Sequence, residues 1–368
     1  MARYRSLFIG TDTDLSYLDG NSLGRPLKRT QRDISTFIEE GWGGRLIRGW
    51  DEEWLDLPQT IGDQLGRAVL GAAPGQTVIA DSTTVVLYKL IRAALATVAD
   101  TARTEIVLDT DNFPTDRYLV EGIALEEGLT LRWIEADPTS GVTVEQVRDA
   151  TGPATAVVLL SHVAYRSGFL ADLPASRKLH TVRGGGGLGP VPLRWIRGAG
   201  PGRGKRGFCR GLHLQVPQRG TRLAGVRIRQ WQAPARSETA DLGLDGTQGR
   251  VRDGRRLRAG ARDPEFPQRH PAIFGMLAMR GTLDLIEEAG MAAIREKSLK
   301  LTAYAVQLVE AWLEPAGVQL ASPREPELRG SHITLDHPAF RNVTAALWEQ
   351  DVIPDFRAPH GIRVGCRP

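Results

Sequence analysis

Two stretches of this sequence carry residue types that could bind a small charged molecule. Asp81-Ser-Thr-Thr84 lies between a short apolar run, Thr77-Val-Ile-Ala80, and a strongly helical run from Val85 to Val98. Hydroxyls and open backbone N–H groups at a helix start favour an anion, commonly a phosphate. An ordinary helix cap accounts for the same residues, because Ser and Thr are preferred there anyway. The second stretch, Asp111-Asn-Phe-Pro-Thr-Asp116, follows the strand-like Glu105-Ile-Val-Leu108. An aromatic beside a turn at a strand's C-terminal end can stack on a planar ring. A proline turn with a packed phenylalanine is the plainer alternative.

The elements that must position these stretches read as a mostly parallel α/β sheet. Ala156-Val-Val-Leu-Leu160 is a continuous apolar run, as a strand buried on both faces requires. With Leu129 to Ile134 as a further strand, the order is β-α-β-β-α-β. Upstream, Thr30 to Glu40 reads as a helix start and Gln59 to Leu70 as an amphipathic helix. After Pro271, Ala272 to Ala289 and Met291 to Leu313 are long helical stretches. His332-Ile-Thr-Leu335 and Ile362-Arg-Val364 then read as strands around a helix from Ala339 to Glu349. The expected division is a large α/β domain over residues 1–270, followed by helices and a small C-terminal α+β domain over 271–368.

Composition narrows the class. Charged residues at 24% and hydrophobic residues at 41% suit a soluble globular enzyme. No apolar run reaches the length of a membrane helix, and Met1 to Ser6 does not read as a signal peptide, so a cytoplasmic protein is expected. Cys209 and Cys366 form neither a disulfide framework nor a zinc spacing, and no metal site is expected. The net charge of +4 is unevenly spread. From Arg183 to Arg262 the chain is crowded with Arg, Gly and Pro and holds one lysine, Lys205. Such a segment could be a nucleic-acid-binding Arg/Gly tract or a basic linker. It lacks the aromatic interleaving of a base-stacking tract, and it interrupts what otherwise reads as one compact enzyme.

The pieces gain meaning in order. Tyr17-Leu-Asp-Gly-Asn-Ser-Leu-Gly24, Gly41-Trp-Gly-Gly44 with Trp50 and Trp54, Asp81-Ser-Thr-Thr84, Asn112-Phe-Pro-Thr-Asp116 and Ser161-His-Val-Ala-Tyr-Arg-Ser-Gly168 resemble the kynureninase family. Asp355-Phe-Arg-Ala-Pro359 and Ile362-Arg-Val-Gly365 fit as well. The resemblance covers roughly residues 8–174 and 271–366. It implies a fold-type I, aminotransferase-like pyridoxal-phosphate enzyme, a homodimer with sites at the subunit interface. The implied reaction is hydrolysis of kynurenine or 3-hydroxykynurenine, the parent substrate giving anthranilate and alanine, with water attacking the γ-carbonyl. Thr83 and Thr84 would hold the cofactor phosphate. Phe113 would stack on the pyridine ring within the Phe113, Pro114, Thr115, Asp116 turn, and Asp116 would hydrogen-bond near the ring oxygen. Arg363 matches the arginine that grips the substrate α-carboxylate, with Arg357 second to it. Asn21 and Ser22 would lie near the substrate, and the stretch from Trp42 to Trp54 would line the site from the partner subunit.

One part is missing. Pyridoxal-phosphate chemistry needs a lysine Schiff base and a carboxylate on the ring nitrogen. In the family both lie between Arg183 and His270, and neither motif is present here. Lys89 follows Tyr88 but belongs to the helix after the anion loop. Reading degenerate codons one base later lets Leu188 to Arg197 encode Trp-Asp-Leu-Cys-His-Ser-Val-Gly-Ser. Arg210 to Ile228 then permits a run containing Thr-Tyr-Lys-Tyr. Asp241 to Asp253 permits Ile-Trp-Gly-Trp-Met-Gly-His-Arg, and Phe266 to Pro271 permits Phe-Leu-Ser-Gly-Thr-Pro. These match the family's missing motifs in order. The shift would span about residues 175–271, with the lysine codon across Gln215 and Val216. On this reading the chain as written is expected to be inactive, with 183–270 out of frame and disordered or misfolded. The nucleic-acid-binding reading stays as the alternative. The chain also stops at Gly365-Cys-Arg-Pro368, before the family's usual tail.

Overall fold

The structure, a computed structural model, describes residues 2–96, 98–99, 101–172, 175–176 and 272–365, together with three short strands at 193–196, 209–210 and 226–228. The frame-shifted stretch inferred above, including Gln215 and Val216, otherwise lies outside the described residues.

The N-terminal part starts with a short strand, β1 (Ser16–Tyr17), and helices α1 (Lys28–Thr36) and α2 (Leu57–Leu65). The large domain then alternates strand and helix: β2 (Thr77–Ile79), α3 (Thr83–Ala96), β3 (Glu105–Asp109), α4 (Pro114–Glu127), β4 (Thr130–Ile134), α5 (Val144–Ala150) and β5 (Thr155–Ser161). Three strands follow, β6 (Leu193–Ile196), β7 (Cys209–Arg210) and β8 (Val226–Ile228). Among the described residues they form one seven-stranded sheet in the order β2-β8-β7-β6-β5-β3-β4. Only β8 runs against its neighbours, β2 and β7. The remaining pairs are parallel, so β2, β3 and β5 all point their C-terminal ends at one edge of the sheet.

The expected β-α-β-β-α-β order needs correction. Helices α4 and α5 fill the connections into and out of β4. Pro114 at the first turn of α4 is pre-set for a helix start, and Val120, Ile123 and Ala124 supply its buried stripe. Helix α5 begins on a capping box, with Gln146 N–H donating to Thr143 Oγ1 at 3.2 Å and Thr143 N–H to Gln146 Oε1 at 2.9 Å.

Alternation along the strands splits the core. Ile106, Leu108, Val157 and Leu159 face Leu87 and Ile91 of α3 and Val120 and Ile123 of α4. Val107, Val158 and Leu160 face the opposite side with Val147 of α5. The sheet is thus buried on both faces, as the apolar run at 156–160 predicts. Helix α2 instead packs on α6 (Ile273–Ala289), with Trp54, Leu57, Ile61, Met276 and Leu283 at the contact.

From α6 the chain enters α7 (Met291–Leu308) and the small domain. Its strands are β9 (Gln319–Leu320), β10 (His332–Asp336), β11 (Val352–Ile353), β12 (Asp355–Arg357) and β13 (Gly361–Gly365), with α8 (Phe340–Trp348) between β10 and β11. An antiparallel sheet runs β12-β13-β10-β9. Val306, Val309, Ile333, Leu335, Phe340 and Ile362 form its core. Strand β1 pairs in parallel with β11, which brings the loop after Tyr17 onto the small domain. Gly365 N–H then donates to Leu18 O at 2.6 Å.

Candidate active site

The site is assembled from the C-terminal ends of β3 and β5, the starts of α3 and α4, the loop after β1, and strands β12 and β13. Arg363 is its most buried charge, at 2% exposure. Register places Asp355 and Thr334 directly opposite it on β12 and β10. Its Nη2 contacts Asp355 Oδ2 at 2.6 Å and donates to Ser22 Oγ at 2.7 Å, with Asp19 Oδ1 at 3.6 Å. Nη1 donates to Tyr165 O at 3.2 Å. Arg357 converges on the same groups, with Nε to Asp355 Oδ2 at 2.7 Å and Nη2 to Ser22 Oγ at 3.3 Å. Burial lowers the Arg363 pKa, and the neighbouring Arg357 charge adds to that. Burial also raises the Asp19 pKa, against the stabilising hydrogen bond from Ser22.

Asn21 is 2% exposed, and among the described residues neither its Oδ1 nor its Nδ2 has a hydrogen-bond partner. A side chain added at Gly365 would meet Asn21 Cγ at 3.2 Å. Gly365 and Arg363 are two residues apart on β13 and so share a face, which places Asn21 on the same face as the arginine.

The second half of the site surrounds Phe113. Phe113 N–H is held by Asn112 Oδ1 at 2.8 Å, and Phe113 O accepts from Asp116 N–H at 2.9 Å. Asn112 Nδ2 reaches Asp109 Oδ2 at 3.0 Å and Leu159 O at 3.2 Å, tying the ends of β3 and β5 together. The Phe113 ring meets Tyr165 edge-on, with centroids 5.3 Å apart. Because Tyr165 also accepts from Arg363, it joins the two halves. Pro114, Thr115 and Asp116 form the first turn of α4, with Asp116 buried. Thr83 and Thr84 open α3, behind Ser82 whose N–H is held by Asp81 Oδ1 at 2.5 Å.

The turn after β5 is fixed by contact with the small domain. Gly168 has φ +72°, and a Cβ there would lie 2.9 Å from His332 O. A side chain is therefore excluded by both backbone conformation and space. Arg166 O accepts from Thr334 Oγ1 at 2.5 Å, while Arg166 Nε pairs with Asp111 Oδ1 at 3.1 Å.

The predicted residues thus fall into groups. Ser22, Arg357 and Arg363 are in direct contact; Asn21 lies beside them; Phe113 is linked to them through Tyr165. Thr83 and Thr84 lie on the same sheet edge at the start of α3. Sequence reasoning assigned no role to Asp19, Asp109, Asp111, Tyr165, Arg166 or Asp355. Asp109 is pushed up to about 7 by burial and by the nearby Asp111 charge. Asp111 is raised to about 6 by burial, which Arg166 and Arg117 oppose. The alternating Asp355-x-Arg357 pattern beside Arg363 was a usable signal for the first of the missed ion pairs.

A family profile described as the kynureninase C-terminal domain matches residues 294–368, which contain Asp355, Arg357 and Arg363. Along the whole chain, the kynureninase of Pseudomonas fluorescens is 33% identical over 371 residues, covering 96% of this chain and 84% of the relative. The chain belongs to the kynureninase family. The kynureninase of Deinococcus radiodurans is 31% identical over 372 residues, with 96% and 86% covered. Matches of this length pass through the Arg/Gly-rich segment, which therefore occupies an internal place in a kynureninase chain. Solved structures agree on the fold. The apo cysteine desulfurase from Thermococcus onnurineus NA1 has a TM-score of 0.76 at 16% identity, covering 99% of this chain and 92% of that one. The cystine C–S lyase C-DES has a TM-score of 0.73 at 16% identity, with 96% and 93% covered. Neither the nucleic-acid-binding alternative nor the expected inactivity gains support from these comparisons.

Proposed function

We propose that this site carries out the kynureninase reaction: hydrolytic cleavage of L-kynurenine to anthranilate and L-alanine, in tryptophan degradation and NAD biosynthesis. The observation that supports it is the buried Arg363, held by Asp355 and Ser22 and linked by Tyr165 to the Phe113 turn. Pyridoxal phosphate, when bound, supplies an electron sink for the carbons of the amino acid. The described residues suit its phosphate and ring. Thr83 and Thr84 offer hydroxyls and first-turn N–H groups to the phosphate, at the positive end of α3. Phe113 offers a ring face, and Asp116, a buried carboxylate, would hydrogen-bond near the ring oxygen, as the family resemblance implies. Arg363 orients the amino acid by its α-carboxylate, since a planar guanidinium matches that group. Asn21 and Ser22 stand beside it.

The anchoring lysine and the carboxylate for the ring nitrogen are not among these residues. In the shifted frame the lysine would be encoded across Gln215 and Val216. Turnover by the chain as written therefore requires another lysine in that place. The division at residues 270/271, the homodimer with the Trp42 to Trp54 stretch crossing to the partner, and a cytoplasmic location belong to the same reading. Within the chain itself, no helix among the described residues is long and apolar enough to cross a membrane.

The test is to purify the protein with pyridoxal phosphate, reduce it with borohydride, map the labelled peptide, and follow anthranilate fluorescence with L-kynurenine. A labelled lysine with anthranilate and alanine in equal amounts supports the reading. Anthranilate release without alanine would contradict it. Absence of both label and products, with the nucleotide sequence across codons 175–271 reading in the present frame, would restrict the reading to ancestry.

A further inference from the structure

Asp355 makes an unusual pair of contacts. One of its oxygens, Oδ2, accepts from Arg357 Nε at 2.7 Å and from Arg363 Nη2 at 2.6 Å. A single carboxylate oxygen thus orders two guanidinium groups. The trio carries one positive charge more than it neutralises. Asp19 Oδ1 is a second carboxylate, farther from Nη2 at 3.6 Å. Asp355 is thus the close carboxylate partner of both arginines, and Asp19 the distant one.

The hydrogen bonds of Arg363 leave one donor through which a carboxylate can be received. Nη1 and Nη2 are engaged by Tyr165, Asp355 and Ser22, whereas the buried Nε has no partner among the described residues. Both amide atoms of Asn21, which packs on the same face of β13, are also buried without partners among the described residues. Leaving a buried polar group unsatisfied costs about 1–3 kcal/mol, and more for a charged one. At the mouth of a binding site such a group is a place for a ligand or water to complete the bonding. Arg363 is thus fixed through its two terminal nitrogens and incomplete at the third.

We propose that Asp355 is the positioning residue of the carboxylate subsite, fixing the Arg363 guanidinium so that its Nε–H is left for the substrate α-carboxylate. Arg357 is the counter-ion that retains Asp355, so the aspartate does not act as a free anion competing for Arg363. This inference rests on the reading of Arg363 as the carboxylate grip and adds the residue that makes the grip selective.

The test compares L-kynurenine with kynuramine, which keeps the aryl ketone and the amine but lacks the carboxylate. Dissociation constants for both are measured on the full chain with pyridoxal phosphate, with melting temperatures recorded alongside. In Asp355→Asn, kynurenine binding should weaken about tenfold, the equivalent of about 1.4 kcal/mol, while kynuramine binding changes less than about twofold. Asp355→Glu, which keeps the charge, should recover part of the loss. Equal weakening of both ligands would assign Asp355 a structural role and overturn the proposal. So would an unchanged ratio in Asp355→Asn when Arg363→Gln abolishes it, an outcome that leaves the reading of Arg363 intact. A ratio that Arg363→Gln also leaves unchanged would overturn both.

Discussion

The two halves of the site are made from different materials. Around Arg363 the contacts are between charged and polar side chains, drawn from residues 19–22, 355–357 and 363. Around α3 and α4 they are mainly backbone N–H groups at helix starts, with Asn112 bridging β3 to β5. A side-chain cluster is destroyed by single substitutions, whereas a backbone cradle survives them. The comparison therefore predicts unequal sensitivity to mutation.

The largest effect is expected at Arg363. Arg363→Gln removes the positive charge while leaving Asp355 paired with Arg357, so the fold should persist. Affinity for L-kynurenine should fall by about 100-fold, the loss of one charge-assisted hydrogen bond from the Nε–H. Titration against kynuramine gives the baseline, and a loss below about threefold would remove the contrast between the two halves.

The next effect concerns stability under the second half. Leu108 is fully buried between α3 and α4. Leu108→Ala should destabilise the chain by about 2–5 kcal/mol, read from denaturant midpoints at constant slope. The substitution leaves every charged contact around Arg363 in place, so the kynurenine-to-kynuramine ratio should not move at temperatures where the variant is folded. A changed ratio would show that the two halves are coupled through the strands.

How much of this was legible in the sequence differs between the halves in the same way. The run at 156–160, the helices at 273–289 and 291–308, and strands β10 and β13 carry periodicity over five residues or more and were readable. Strands β1, β11 and β12 have two or three residues, too few for any period to show. The Asp19–Arg363 and Ser22–Arg363 contacts join residues more than 300 positions apart, brought together by the pairing of β1 with β11 and the bridge from Asp19 to Gly365. Arg363, Ser22 and Phe113 were found by family motif. Asp355 and Tyr165 were not singled out, because their roles come from what they touch. The middle segment is a separate case: Arg, Gly and Pro supply neither period nor apolar stripe.

A smaller effect tests the electrostatics at the end of β3. Asp109 has its pKa raised from 3.8 to about 7. A carboxyl with a raised folded-state pKa binds its proton more tightly when folded, so its contribution is fully present below the unfolded value. That contribution is lost as pH rises through the folded value. Between about pH 4 and pH 7 the parent should therefore lose stability that Asp109→Asn keeps. At pH 8 the variant should be more stable by about 1–3 kcal/mol, with the gap closing near pH 4. Equal melting temperatures at both pH values would mean that Asn112 and solvent keep Asp109 ionised at little cost.

The smallest effect should come from Thr84→Val, and its size is what separates the two halves. Valine matches threonine in shape and removes one hydroxyl, but the first-turn N–H groups of α3 remain and so does the positive end of the helix. Affinity for pyridoxal phosphate should drop by about fivefold, near 1 kcal/mol, measured by absorbance titration of the full chain. Kynurenine should still be preferred over kynuramine by the parent's margin, because no donor at Arg363 has changed. If Thr84→Val instead costs as much as Arg363→Gln, the hydroxyl rather than the helix start holds the phosphate. The backbone cradle would then be no more tolerant than the arginine cluster.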